Sequence, residues 1–188
     1  MTVTLHEVSH GFVAYAFGDR TAKQMGRLTL NPLKHIDPLW TVVLPMLLIY
    51  LGLPAIGMAK PVPVNFQNLR NPKRDMIWVA VAGPLANVLL ASVLVLFYKV
   101  TGMTVLLYCI YFNLGLALFN LLPIPPLDGS RILVGLLPSE LGMFVWRMEY
   151  LGFILVLVLV YFGWLTQLII PGINFFCQFF DIPQIRLK

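Results

Sequence analysis

The chain has 188 residues, of which 59% are hydrophobic and 11% charged, and its mean hydropathy is +0.84. This composition is far from that of a soluble domain and predicts an integral protein of the cell membrane, with the lipid bilayer as its surroundings. The net charge of +5 does not indicate nucleic-acid binding, because the Lys and Arg residues lie in short loops beside apolar runs. In that position basic residues set the orientation of a membrane protein.

The first chemically specific motif is His6-Glu7-Val8-Ser9-His10. On a helix, residues four apart lie on the same face, so His6 and His10 can bind one metal ion while Glu7 lies beside it. Two imidazoles bind zinc without cancelling its charge, and a neighbouring carboxylate can take a proton from water. The alternative is an ordinary helix with two polar side chains, since so short a pattern also occurs by chance. Catalytic zinc normally has three protein ligands, so another part of the chain must supply the third.

The helix that carries this motif is predicted over residues 1–17, and it ends at Gly18-Asp19. A spanning helix needs about 20 apolar residues, and only about 8 Å of helix precedes His6. We therefore expect that the natural helix continues upstream of Met1.

Two basic segments, residues 18–38 and 60–75, flank an apolar run over Leu39–Ala59 that Pro45 and Gly52 interrupt. Because basic loops favour the cytoplasmic side, the run is expected to enter the membrane and return on the same side. A short crossing helix is the alternative. The residues that follow, 58–65, are expected to be extended, because each proline biases its predecessor away from helix.

Three further apolar stretches are long enough to cross a membrane, and a short aromatic segment follows at an interface. The fold class predicted is therefore an all-α membrane protein, a polytopic transmembrane helix bundle with a re-entrant or extended segment, forming one domain over residues 1–188. The spans are Met76–Tyr98, Thr104–Leu122 and Leu151–Ile170, and the interfacial segment is Pro171–Phe180.

The second of these spans ends in Asn120-Leu-Leu-Pro-Ile-Pro-Pro-Leu-Asp128-Gly129. Three prolines within four residues cannot continue a helix, so Asp128 is expected in a constrained turn near the membrane surface. Taken alone, Asp-Gly is an ordinary surface turn. An incomplete metal site elsewhere in the chain makes Asp128 the candidate for the third ligand.

With these motifs in this order, the chain resembles the site-2 protease family of intramembrane zinc metalloproteases, in particular its compact prokaryotic members without a PDZ domain. The resemblance covers roughly residues 4–135. It implies zinc bound by His6, His10 and Asp128, Glu7 as general base, and Asn120 near the substrate carbonyl. Besides the two segments already quoted, it includes Asn31-Pro-Leu-Lys-His-Ile-Asp-Pro38, Ala59-Lys-Pro-Val-Pro-Val-Asn65 and Ala82-Gly-Pro-Leu-Ala-Asn87.

Two other polar residues have structural interpretations. His35 is expected to be a loop histidine hydrogen-bonded to its neighbours. Asn87, one turn after Gly83-Pro84, is expected to allow close helix packing and to satisfy backbone groups that the proline leaves unbonded.

The predicted function is zinc-dependent hydrolysis of peptide bonds in transmembrane protein substrates, with oligomeric state left open. Glu7 is expected to take a proton from the attacking water and to return it to the departing amine. The alternatives are a metal-binding transporter, which predicts several intramembrane ligands along a path, and a non-proteolytic membrane scaffold with the same fold.

Overall fold

A computed structural model describes residues 1–52 and 59–185, and within these ranges the regular structure is entirely helical. The chain divides into two compact units, residues 1–83 and 84–188. Residues 186–188 lie outside the described part of the second unit. The prediction of one protease domain over residues 1–188 stays a prediction. The α-helices are α1 Thr2–Ala16, α2 Thr21–Gln24, α3 Leu44–Tyr50, α4 Pro72–Thr101, α5 Thr104–Asn120, α6 Asp128–Leu136, α7 Ser139–Arg147, α8 Glu149–Tyr161 and α9 Trp164–Phe179.

In the first unit, α1 packs on the beginning of α4 through small and branched apolar side chains. Ala14, Leu69 and Val79 are buried there, with Val13, Phe17, Val64 and Phe66 around them. Short 3-10 turns follow at Pro32–His35 and Phe66–Asn68, and a π-helical turn at Pro38–Val43 leads into α3. The predicted helix over residues 1–17 is confirmed, with one residue fewer at each end.

Two backbone contacts fix the ends of the loops in this unit. The Lys60 amide donates to the His35 carbonyl over 2.9 Å, and the Arg70 amide donates to the Phe17 carbonyl over 3.0 Å. The chain therefore returns at Lys60 to the point that it leaves at His35. Residues 59–65 have no helical structure, as their prolines predict, and Met58 lies outside the described residues.

A buried carboxylate joins the end of α1 to the same non-helical stretch. Asp19 is fully buried, and its oxygens accept hydrogen bonds from the backbone amides of Thr21 and Asn65, at 3.1 and 2.8 Å. The Thr21 hydroxyl and the Asn68 amide also donate to it. Three of these four donors bind Oδ1 and one binds Oδ2, so both oxygens are hydrogen-bonded and the loop is closed around the carboxylate.

In the second unit, α5 packs against α9, with Ile110, Leu114, Ile173 and Cys177 buried between them. Gly129, the second residue of α6, lets the beginning of this helix lie against the backbone that follows α5. A Cβ at this position would overlap the carbonyl oxygens of Leu121 and Leu122. Arg131 of α6 lies 4.0 Å from the ring centre of Trp146 and 3.5 Å from the Glu149 carboxylate, which ties α6 to the helices that follow.

Only part of the predicted set of spans is found among the described residues. Helix α4, with 30 residues, is long and apolar enough to cross a membrane, and it extends beyond the predicted Met76–Tyr98 at both ends. Helices α7 and α8 pass the same test together as a pair bent by 57°. Helix α5, with 17 residues, is shorter than the predicted Thr104–Leu122. One or two spans are therefore supported, and the polytopic bundle stays a prediction.

The predicted span Leu151–Ile170 and the separate segment Pro171–Phe180 are wrong. The chain breaks at Gly163, which has φ 72° and separates α8 from α9. Helix α9 then continues through Pro171 to Phe179. A glycine in the left-handed conformation ends α8, whereas hydropathy along the run stays high on both sides of it.

Candidate metal centre

The two histidines of the HExxH motif lie side by side on α1. Their Nε2 atoms are 3.1 Å apart, and the rings meet edge to face with centroids 4.7 Å apart. His6 is buried and His10 is half-buried. The helical spacing read from the sequence therefore does bring the two imidazoles together.

The orientation of His10 is set by a backbone group of α4. Its Nδ1 lies 2.6 Å from the Val79 carbonyl oxygen. A carbonyl only accepts, so Nδ1 carries the hydrogen and donates, and a neutral His10 keeps its lone pair on Nε2. Metal-binding histidines are commonly oriented by a hydrogen bond of this kind from the other ring nitrogen.

A glycine on α4 makes room for both rings. A Cβ at Gly83 would lie 2.6 Å from His10 Cε1 and 2.7 Å from His6 Cε1, and it would also overlap His10 Nε2. No side chain larger than hydrogen fits there without moving an imidazole. Gly83 therefore allows α1 and α4 to approach closely at the histidines themselves.

The spacing of the His6 and His10 Nε2 atoms fits a zinc ion. A tetrahedral zinc ion with bonds of about 2.05 Å has neighbouring nitrogens about 3.3 Å apart, close to the 3.1 Å between the two Nε2 atoms. Both donors are neutral imidazole nitrogens, which suit zinc, and the tautomer of His10 is the one that a metal needs.

Glu7 lies between the two histidines in sequence, and a backbone amide holds its carboxylate. Its Oε2 accepts a hydrogen bond from the Val62 amide over 2.9 Å. Val62 is buried, whereas Glu7 is half-buried. The carboxylate is therefore held in one orientation by the non-helical stretch that follows residue 58.

The other two predicted site residues belong to the second unit. Asp128 is half-buried and is the first residue of α6, so it lies in a helix rather than in the turn expected from the sequence. The Asn120 amide, at the end of α5, donates to the carbonyl of Leu116 over 2.9 Å. The ligand role of Asp128 and the oxyanion role of Asn120 stay predictions.

The structural interpretation of His35 agrees with the structure. Its Nε2 donates to the Thr29 carbonyl over 2.9 Å, and the side chain is buried.

The interpretation of Asn87 is wrong in one respect. Neither its amide nitrogen nor its oxygen has a hydrogen-bond partner among the described residues, although the side chain is fully buried. It therefore does not satisfy backbone groups near Pro84.

Two backbone groups of the site, the Val79 carbonyl and the Val62 amide, were missed. Backbone atoms carry no residue-specific signal, so motif spacing gives no reason to select these positions. For Val62 an indirect signal was present, because prolines at 61 and 63 leave its amide as the one N–H group between them.

Comparison with known proteins finds one family model and several relatives that agree in their descriptions. The family model described as Peptidase family M50 matches residues 99–162. YwhC of Bacillus subtilis is 41% identical over 173 residues, which cover 85% of this chain and 76% of the relative. Rip2 of Mycolicibacterium smegmatis is 33% identical over 181 residues, covering 93% of this chain and 66% of the relative. The names of both relatives describe them, provisionally, as zinc metalloproteases. No solved structure matches the chain.

Proposed function

Because the chain belongs to peptidase family M50, the zinc-dependent site-2 protease family, we propose that it is an intramembrane endopeptidase that cleaves transmembrane protein substrates. The observation that supports this most directly is the arrangement on α1, with paired imidazole nitrogens and a carboxylate held beside them.

In this proposal His6, His10 and Asp128 bind zinc, which leaves one position for water or substrate. Zinc, when bound, polarises the scissile carbonyl and makes water more acidic. Glu7 takes a proton from the attacking water and returns it to the departing amine. Asn120 donates a hydrogen bond to the oxygen on which negative charge develops.

The substrate must be unwound locally before it is cut. A helical substrate holds each carbonyl in its own hydrogen bonds, so a helix breaker near the scissile bond favours cleavage. The freed backbone groups then need partners, because an unbonded group in lipid costs several kcal/mol. The carbonyl groups of the non-helical stretch at 60–65 offer such partners by strand addition, whereas the amides of Lys60, Val62 and Asn65 already donate within the chain.

The test is a comparison of membrane protein fragments from cells that carry the wild-type chain or Glu7→Gln. Fragments with new termini inside transmembrane segments should be present with the wild type and absent with the variant. Identical fragment sets would contradict the proposal and favour a non-proteolytic scaffold. Zinc uptake into liposomes containing the wild-type chain would favour the transporter alternative.

A further inference from the structure

We propose that Arg27 is a positioning residue for Glu7, acting through the single peptide group that joins Pro61 to Val62. The inference rests on the proposed function, in which Glu7 moves protons. Arg27 lies 20 residues from Glu7 in sequence, and none of the roles assigned above involves it.

The first step is the contact between Glu7 and the backbone. The Val62 amide donates to Glu7 Oε2 over 2.9 Å. Pro61 and Pro63 have no N–H group, so the backbone between them offers Glu7 one donor only. The position of the carboxylate therefore depends on where this one peptide group is held.

The second step is what holds that peptide group from its other side. Arg27 Nη2 donates to the Lys60 carbonyl over 2.9 Å and to the Pro61 carbonyl over 3.3 Å. The Pro61 carbonyl and the Val62 amide belong to the same planar peptide unit, which is trans. In a trans peptide the C=O and N–H bonds point in opposite directions, so Arg27 and Glu7 lie on opposite sides of one rigid group.

The charges of Arg27 and Glu7 also interact electrostatically through this peptide group. Arg27 is only 8% exposed, and within the described ranges no carboxylate lies close enough to form an ion pair with it. A buried guanidinium needs compensation. Donation to the Pro61 carbonyl polarises the peptide group, which strengthens the Val62 amide as a donor to the negative Glu7 carboxylate. Both charges are thereby stabilised through one peptide unit.

Gly11 of helix α1 leaves room for the side chain of Val62. Gly11 lies one turn after Glu7, and a Cβ there would lie 2.7 Å from Val62 Cγ1 and 2.5 Å from Leu28 Cδ2. A methyl group at this position would press on the side chain of Val62, the residue whose amide binds Glu7. Gly11 and Arg27 therefore both bear on the contact between the Val62 amide and Glu7, Gly11 through the Val62 side chain and Arg27 through the Pro61 carbonyl.

The experiment replaces Arg27 with Gln, which removes the charge, and with Lys, which keeps the charge but loses the planar fork. Arg70→Gln, at an exposed arginine in the same unit, is the matched control. For both Arg27 variants we expect unchanged zinc content, KM within about twofold of the wild type, and kcat lower by roughly ten- to a hundredfold, part of what general-base catalysis contributes. Arg27→Lys provides the test if Arg27→Gln does not yield folded protein.

Two measurements separate positioning from a general structural role. Combined with Glu7→Asp, whose shorter side chain no longer reaches the Val62 amide, Arg27→Gln should lower kcat by no more than about twofold further, because the contact is already lost. Full additivity, unchanged kcat in the Arg27 variants, or a parallel loss of zinc would each overturn the proposal.

The other measurement needs no catalysis, so it is independent of the proposed function. Hydrogen exchange at the Val62 amide should be slow in the wild type and at least about tenfold faster in both Arg27→Gln and Gly11→Ala, as expected when a local hydrogen bond opens more often. Equal exchange in the wild type and Arg27→Gln would overturn the link from Arg27 to Glu7, whatever the chain cleaves.

Discussion

His10 shows how much of the candidate metal site is set by the protein before any ligand binds. Its Nδ1 donates to the Val79 carbonyl, and its ring passes directly over Gly83. The ring is thus held by α4 although it belongs to α1. A metal ion that binds at Nε2 needs little rearrangement of this ring, which favours affinity.

Gly83→Ala should therefore weaken zinc binding by roughly ten- to a hundredfold, the range for a disturbed outer shell of a metal site. The added methyl group would overlap the ring atoms of both histidines, so one imidazole must turn away. Titration with a competing zinc chelator measures the change. Gly115→Ala is the matched control on another helix, because its nearest contact would be an ordinary 3.9 Å to Ile173 Cδ1. Equal zinc affinity in Gly83→Ala and the control would contradict the assigned role.

Asp128→Ala should abolish stoichiometric zinc binding, because the loss of one of three protein ligands weakens a site severely. Glu7→Gln should keep about one zinc per chain and lose cleavage, since it keeps all three proposed ligands but removes the base. Metal analysis of purified protein checks both. Glu140→Gln removes an exposed acidic group of α7 and should leave the zinc content unchanged. Full zinc occupancy in Asp128→Ala would show that the third ligand is another residue.

Asn120→Ala should keep its zinc and lower the turnover rate by roughly ten- to a thousandfold, the range for a lost oxyanion donor. The Asn120 NH2 group donates one hydrogen to the Leu116 carbonyl, so the predicted role uses its second hydrogen. Metal content and cleavage rate are measured on the same preparation. A variant that loses zinc would make Asn120 a structural residue, and normal turnover would remove it from the mechanism.

At the residue scale, the sequence predicted the candidate side chains from residue type and spacing. The four-residue spacing predicted that His6 and His10 share a face, and their rings do meet. What the sequence did not identify are the partners of these side chains, the Val79 carbonyl and the Val62 amide, since any residue can supply a backbone group. Arg27 was counted only as one charge of a basic loop, because its contacts depend on the tertiary path of residues 60–62.

At the scale of elements, the existence of helices was easier to predict than their ends. The run from Leu151 to Ile170 is apolar throughout, and hydropathy does not register that Gly163 has a left-handed backbone. Pro171 indicated a helix end by its missing N–H group, yet α9 continues through it. Local propensity is a weak constraint where tertiary packing on Leu118 and its neighbours holds the helix.

The loop closed around Asp19 makes the first unit sensitive to acid. Burial raises the pKa of the Asp19 carboxyl, but hydrogen bonds from Thr21, Asn65 and Asn68 outweigh it and lower the pKa below its usual range. A carboxyl whose pKa is lower in the folded state stabilises that state above its unfolded pKa of about 3.9, and this contribution is lost as pH falls through the folded pKa.

Asp19→Asn should accordingly lower the melting temperature at neutral pH, because its NH2 group would face donors instead of accepting from them. The expected loss is about 1–3 kcal/mol of unfolding free energy. The difference from the wild type should shrink as the pH is lowered below about 4. Thermal unfolding is followed in detergent, with a zinc chelator present at every pH so that loss of metal does not contribute. A difference that stays constant from pH 7 to pH 3 would contradict the role of the ionised carboxylate.

At the scale of the whole molecule, the path of the chain between residues 35 and 60 bears on how the protein lies in a membrane. The Lys60 amide is hydrogen-bonded to the His35 carbonyl, whereas one crossing would separate the two ends by about 30 Å. This contact therefore favours the predicted re-entrant path over a single crossing by Leu39–Ala59. The re-entrant path stays a prediction, and residues 53–58 of the segment lie outside the described residues.

Labelling of single cysteines from outside intact cells tests this topology. Lys23 and Arg70 are exposed and lie on either side of the segment in sequence. The loop that contains Arg70 is hydrogen-bonded to the end of α1, through Asn65 to Asp19 and through Arg70 to Phe17. Cysteines placed at 23 and at 70 should both be protected from a membrane-impermeant reagent, because the basic loops favour the cytoplasmic side. The exposed Cys109 must first be replaced by serine to remove background, and lysed cells show that each site can react. Labelling of one position and protection of the other would mean that the segment crosses the membrane, and the hydrogen bond between Lys60 and His35 could then not exist.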